Sequence, residues 1–352
     1  MISYSLAIRP NWIDKAKVFM IYLVVLGHYT YAIGIDFQPS SLWNLMHIIT
    51  LFHMPFFFIV SGYLFKSGSI KETICKGWVQ LIRPYLIMCI VSCVFMIVND
   101  LIACNFSWSK CLGLTIGVFT GNDGFHSIGN WSSALWFCYS LFIIKIINHS
   151  SVFFERVGLA IFFFVLVVLM AIVVLYSGNI FPFRLDSSIV GLFFFVIGYM
   201  FKECIRKIMS SPIILRFFVV LGSSILLFVS GYYNLNLNVR QGLSINVCSF
   251  GEHPLLFLIS GISGFVTVSV LSSFFRIKCG IVKKIILQIS NGTIVVLGFH
   301  WLVYKLVFGW WLSSYNVVIA IFVALLDFAL CYVLILLASK YCPYILGYRK
   351  IN

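Results

Sequence analysis

The chain has 352 residues, of which 62% are hydrophobic and only 10% charged. A soluble domain carries about a quarter of its residues charged, so this chain lacks the coat that water requires, and lipid must cover much of it. The formal charge of +14 would suggest a nucleic-acid partner in a soluble protein. Here the basic residues sit between apolar runs, which points to membrane topology and to no nucleic acid.

Ten apolar runs approach the roughly 20 residues that cross the hydrocarbon core as a helix. They are predicted at 16–35, 44–65, 82–103, 131–148, 158–177, 187–203, 213–232, 254–275, 290–309 and 315–338. The first leads into further spans with no small-residue cleavage site after it, and is read as a span and not a removable leader. Gly- and Asn-containing stretches such as Gly121-Asn-Asp-Gly124 and Tyr232-Tyr-Asn-Leu-Asn-Leu-Asn238 separate the runs. The longest connection is 105–130, and its apolar middle, Leu112 to Phe119, suits a position along the interface. With no repeat and no soluble domain in view, residues 1–352 are expected to form one all-α, polytopic membrane helix bundle.

The 24 Lys and Arg residues test this layout. Through ten spans, Lys110, Arg184, Arg240 and Lys305 fall on one side and the other twenty on the opposite side. Such a split is the positive-inside pattern, with the N- and C-termini both cytoplasmic. The 11 cysteines include no CxxC or CxxH pair, and many lie inside apolar runs (Cys89, Cys93, Cys138, Cys331). They read as small apolar fillers, with no disulfide framework and no metal site.

Ionisable residues at membrane depth carry the most information, since each costs about 2.5–3.5 kcal/mol to insert on translocon scales. Lys17 and His28 are 11 residues apart, which is three helical turns plus about 20°, so they share one face about 16 Å apart along the axis. Lys17 lies near the cytoplasmic boundary and His28 past mid-membrane. The second run carries His47 near its outer end and His53 deeper, in Phe52-His-Met-Pro-Phe-Phe-Phe-Ile-Val-Ser-Gly62, where Pro55 can free a carbonyl. A buried neutral imidazole can simply donate to a backbone carbonyl; the functional reading is a general base toward a hydroxyl. Lys15, Lys17, Lys76 and Arg83 gather on the basic side. They serve either as topology signal against anionic lipid or as a docking site for a phosphorylated cytosolic donor, with Arg83 fixed by the following Pro84.

Weaker candidates are Asp327, His300, the pair Glu252 and His253, the pair Arg184 and Asp186, and Asp123 with His126; Lys145 at a helix end reads as snorkelling. The chain has no Gly-x-Ser-x-Gly elbow, Walker loop, Gly-x-Gly-x-x-Gly or His-Glu-x-x-His. That argues against a serine hydrolase, an NTP-driven pump and a zinc protease.

Four stretches, in order along the chain, carry a resemblance. Asn11-Trp-Ile-Asp-Lys-Ala-Lys17 followed by Val-Val-Leu-Gly-His28, then Phe52-His-Met-Pro-Phe-Phe-Phe-Ile-Val-Ser-Gly-Tyr63, Ala134-Leu-Trp-Phe-Cys-Tyr-Ser-Leu141 and Gly298-Phe-His300 resemble acyltransferase family 3, especially its fucose 4-O-acetylase-like branch. The resemblance implies an O-acetyltransferase of the bacterial inner membrane. It would move acetyl from cytosolic acetyl-CoA to a hydroxyl of a cell-envelope glycan or its lipid-linked precursor. It implies that His28 stands at the essential first-helix histidine position, and that Lys17 replaces the arginine usual 11 residues earlier. The family's Arg-x-x-Arg before a proline is here Lys76-Gly-Trp-Val-Gln-Leu-Ile-Arg83-Pro84, so only Arg83 carries over. The expected site is therefore His28 and His53 for catalysis, with Lys17, Lys76 and Arg83 toward coenzyme A. His28 would act as base or carry the acetyl group itself. Two other classes compete. A polysaccharide polymerase or lipid-linked sugar flippase would favour large outer loops rich in arginine and carboxylate. A transporter with a His28–Asp327 proton relay would favour inverted repeats.

Overall fold

The computed structural model describes residues 11–34, 41–66, 68–121, 133–149, 157–177, 182–234, 243–308 and 317–347. Asp123, His126 and Arg240 lie outside these. The described helices are α1 (Asn11–Gly34), α2 (Ser41–Tyr63), α3 (Ile70–Gly77), α4 (Arg83–Ile102), α5 (Trp108–Thr120), α6 (Trp136–Ile147) and α7 (Val157–Ser177). They continue as α8 (Leu185–Met200), α9 (Lys202–Ser210), α10 (Ile213–Tyr233), α11 (Pro254–Phe274), α12 (Gly280–Asn291), α13 (Thr293–Val303) and α14 (Val317–Tyr341). Among the described residues the only β-pairing is an isolated bridge between Ser244 and Ser249. The protein is an all-α polytopic bundle.

Each of the ten apolar runs falls on a helix. Among the described residues six helical segments, α3–α4 counted as one, are long and apolar enough to cross a membrane, and up to eight if the bent pairs α8–α9 and α12–α13 each count as one span. The other two runs depart for physical reasons. Helix α1 carries Asp14, Lys15, Lys17 and His28. Helix α6 has only 12 residues, about 18 Å of rise against a hydrocarbon core of about 30 Å.

Several segments read as connections are helical. Residues 202–210 and 280–291 form α9 and α12, whose polar residues recur at helical spacing (Glu203, Arg206 and Lys207; Lys284, Gln288 and Asn291) and give each a polar face. Chain direction changes by 59° between α8 and α9 and by 78° between α12 and α13. Helix α3 runs into α4 through a π-helical turn at Trp78–Ile82.

Helices α1 and α2 form the centre. Helix α2 packs on α1, α8 and α11, while α1 also meets α12, α13 and α14. Burial falls outward: 83% of Met46–Tyr63 is covered, against 11% of Ile213–Tyr233. Helix α10 thus presents Ile214, Phe217, Phe218 and Phe228 to lipid. The α2–α8 crossing is close because glycines face backbone on both sides. A Cβ on Gly62 would strike the Phe195 carbonyl, and one on Gly198 the Ile59 carbonyl. The Leu135-Trp-Phe137 start of α6 is buried. Phe137 stacks on Phe58 of α2 at 4.8 Å, and the turn at Ser133–Leu135 packs on α13. Three of the four stretches that carry the family resemblance thereby meet.

Candidate functional site

The site is built on α1. At its start, Lys17 donates from Nζ to the carbonyl of Ser290 at 2.5 Å, and the Ser290 hydroxyl donates to Asp14 Oδ1 at 2.6 Å. Ser290 is the second-last residue of α12. The last carbonyls of a helix lack intrahelical donors and carry the negative end of its dipole, so an ammonium there is doubly favoured. Asp14, only 7% exposed, completes the clasp. The result fixes the end of α12 to α1 directly before the 78° bend into α13.

Eleven residues on, His28 is an intermediate, half-buried residue whose ring packs against two side chains of α13. The His300 ring lies 4.9 Å away and the Trp301 ring 5.3 Å away, centroid to centroid. His53 of α2 lies within electrostatic reach of His28. Two of the three tautomers follow from hydrogen bonding. His53 Nδ1 lies 2.9 Å from the Ile49 carbonyl and His300 Nδ1 lies 2.8 Å from the Val296 carbonyl. A carbonyl can only accept, so both Nδ1 atoms carry the proton and both Nε2 atoms keep a lone pair. His300 Nε2 and Trp301 Nε1 are buried with no hydrogen-bond partner among the described residues. One is an acceptor and the other a donor, and both belong to rings that contact His28.

A second buried polar group lies nearby in the bundle. Asp327 of α14, fully buried, accepts a hydrogen bond from the Cys331 thiol at 3.3 Å; Tyr29, one residue after His28, lies within electrostatic reach of it, its hydroxyl buried with no hydrogen-bond partner among the described residues. Tyr29 packs edge-on against Tyr304 at 4.8 Å, and Tyr304 against Trp301 at 5.4 Å. The rings of Tyr29, Tyr304, Trp301 and His28 therefore form one run of contacts.

The sequence-derived set is only partly gathered here. Structure places His53 within electrostatic reach of His28 and ties Lys17 at the base of α1 to the end of α12. Lys76 is exposed on α3 and paired with Glu72 at 2.5 Å, one helical turn away. Arg83 lies over the Tyr344 ring at 4.9 Å, held between the start of α4 and the turn at Pro343–Leu346. Arg184 is buried, with Nε donating to Gly121 O at 2.5 Å and Nη1 to Asn246 O at 2.9 Å. Asp186 accepts from the Cys248 thiol at 2.9 Å. Glu252 and His253 are exposed.

His300 and Trp301 are the residues that sequence reading underweighted. Their signal was the Gly298-Phe-His-Trp301 run, which says nothing of its neighbour on α1. Gly298 matters too, since a Cβ there would meet the Met88 side chain. It lets α13 lie close to α4.

No curated protein and no solved structure matches the chain. A family model described as an acyltransferase domain matches residues 11–338. That match spans every stretch on which the resemblance rests and all the residues that surround His28, and the chain belongs to acyltransferase family 3.

Proposed function

We propose that this membrane acyltransferase moves an acetyl group from cytosolic acetyl-CoA to a hydroxyl of a cell-surface glycan, or of its lipid-linked precursor, at the bacterial inner membrane. The observation that carries the reading is the His28 group: an imidazole packed against the His300 and Trp301 rings, beside an unpaired acceptor on His300 and an unpaired donor on Trp301. Acyl transfer needs a base for the hydroxyl, a donor toward the thioester oxygen and exclusion of water. His28 takes the hydroxyl proton as the oxygen attacks the thioester carbon. The C–O ester bond forms, the C–S bond breaks, and the proton passes to the departing thiolate. Trp301 Nε1–H is the donor for the carbonyl oxygen, and His300, packed ring to ring on His28, sets the position of the base. A relay in which His28 itself carries the acetyl group uses the same geometry; an acid-quenched digest showing acetyl on His28 would distinguish it.

The test is the surface glycan of a deletion strain, compared by mass spectrometry with strains restored by the wild-type chain or by His28→Ala. Loss of the acetyl increment at unchanged chain length, restored by wild type alone, is expected. Shortened chains would favour the polymerase reading, and full acetylation by His28→Ala would overturn the assignment of the base.

A further inference from the structure

At the end of the bundle where α1 begins, a cavity of about 300 Å³ opens between α1, α10, the α11–α12 link and α12. Four cations line it, Lys15, Arg216, Arg276 and Lys283, against one carboxylate, Asp14. Two of the cations are built in. Lys15 Nζ donates to the Phe275 carbonyl at 2.5 Å, which leaves two of its three N–H groups for a ligand. Arg216 donates from Nη1 to Ser273 Oγ at 2.9 Å and lies over the Phe274 ring at 5.1 Å. Its Nε–H is buried with no hydrogen-bond partner among the described residues. An orphaned guanidinium N–H is costly unless something accepts from it. Arg276 and Lys283 are exposed at the rim, and Trp12 supplies an apolar wall. Lys17, Lys76 and Arg83 are not among the lining residues.

We propose that this cavity is a binding site for a phosphate-bearing ligand. A fixed guanidinium, a tethered ammonium and two rim cations make a donor set suited to phosphate oxygens. The volume sits at the small end of ligand sites, fitting a phosphorylated head and not a whole extended donor. Two sources offer this chemistry: the nucleotide phosphates of the acyl donor, and an acidic lipid headgroup. The nucleotide source rests on the coenzyme A reading; the lipid source does not.

The experiment uses the full chain purified in a neutral detergent and titrated with adenosine 3′,5′-bisphosphate by calorimetry. In parallel, the chain in nanodiscs of phosphatidylcholine with or without phosphatidylglycerol is melted. At least one probe is expected to respond, and the R276Q/K283Q double variant to weaken that response by about tenfold or more. The charge-keeping R276K/K283R variant should restore it, and R216Q should weaken it independently. Bisphosphate binding alone assigns the nucleotide source, and a phosphatidylglycerol response alone assigns the lipid. Silence of both probes, or wild-type responses in R276Q/K283Q and R216Q, overturns the site. These are binding measurements, so they stand even if no acetyl transfer is ever detected.

Discussion

The rings of His28 and His300 lie 4.9 Å apart with their planes tilted by 40°. They come from opposite ends of the chain, on helices α1 and α13, and each is set by its own helix. His300 is oriented by its bond to the Val296 carbonyl, while His28 remains partly open. Two neutral imidazoles at this spacing favour one base with one orienting neighbour, because a second positive charge beside the first would be costly.

This spacing sets the first expectation. His28→Ala should abolish acyl transfer. His300→Ala, which frees the base from its neighbour, should lower kcat by up to about 10²-fold with little change in KM for the donor. Trp301→Phe, which removes the N–H and keeps the ring stack, should also act on kcat. Transfer of labelled acetyl by the purified variants in proteoliposomes measures all three; a His300→Ala enzyme with wild-type kcat would remove His300 from the site.

Lys17 offers a sharper contrast. If it serves as the clasp on Ser290, Lys17→Met should lower thermal stability by about 1.5–3 kcal/mol, the range for a hydrogen bond to a charged group, and reduce kcat through the position of α13. If it instead binds donor phosphate, KM for the donor should rise while the melting temperature holds. Asp14→Ala, which removes the other half of the clasp, should resemble Lys17→Met only in the first case.

Packing gives a third. Gly62→Val and Gly198→Val place side chains into opposing backbone and should cost well above the about 1–3 kcal/mol typical of overpacking, since carbonyls cannot move aside. Gly222 meets nothing within 4 Å, so Gly222→Val on α10 should leave the protein monodisperse on size-exclusion chromatography. Aggregation of Gly222→Val with normal behaviour of the other two would contradict the α2–α8 crossing.

Orientation is open to chemical labelling. The ten-span reading puts Cys104 outside and Cys279 on the cytoplasmic side, and both are exposed. Backbone N–H groups of Val282 and Ile281 at the start of α12 hold the Cys279 thiol below the ordinary thiol range. The thiolate is the reactive form, so the half-point of Cys279 alkylation should shift to lower pH than that of a free thiol. An impermeant maleimide should reach Cys104 in intact cells and Cys279 only in inverted vesicles. Labelling of Cys279 from outside would reverse the topology.

The helices were legible because lipid demands long apolar runs, and that demand is written locally. The bends were not. Residues 202–210 and 280–291 carry charges, so a search for apolar runs passes over them, although their polar faces recur at helical spacing. Lys17 and His28 could be placed on one stripe from spacing alone, and Pro55 beside His53 from the sequence itself. What Lys17 touches could not be seen: its partner is a backbone carbonyl, which has no residue-type signature, 273 residues away. The approach of His300 to His28 was hidden for the same reason, since it depends on how α13 leaves the bend at Gly292. Asp327 had no assignable partner in sequence because Tyr29 and Cys331 are ordinary apolar-run residues until they face a carboxylate.

The clasp at Ser290 has a geometric meaning beyond its own bonds. Helix α1 carries His28, and the same helix, through Lys17 and Asp14, grips the elbow from which α13 departs with His300. One rigid rod thus supplies one ring and sets the datum for the other. Errors in the placement of the outer helices, which contribute most of the lipid-facing surface, do not accumulate between the two histidines. The distance that matters for chemistry is gauged along about three turns of a single helix.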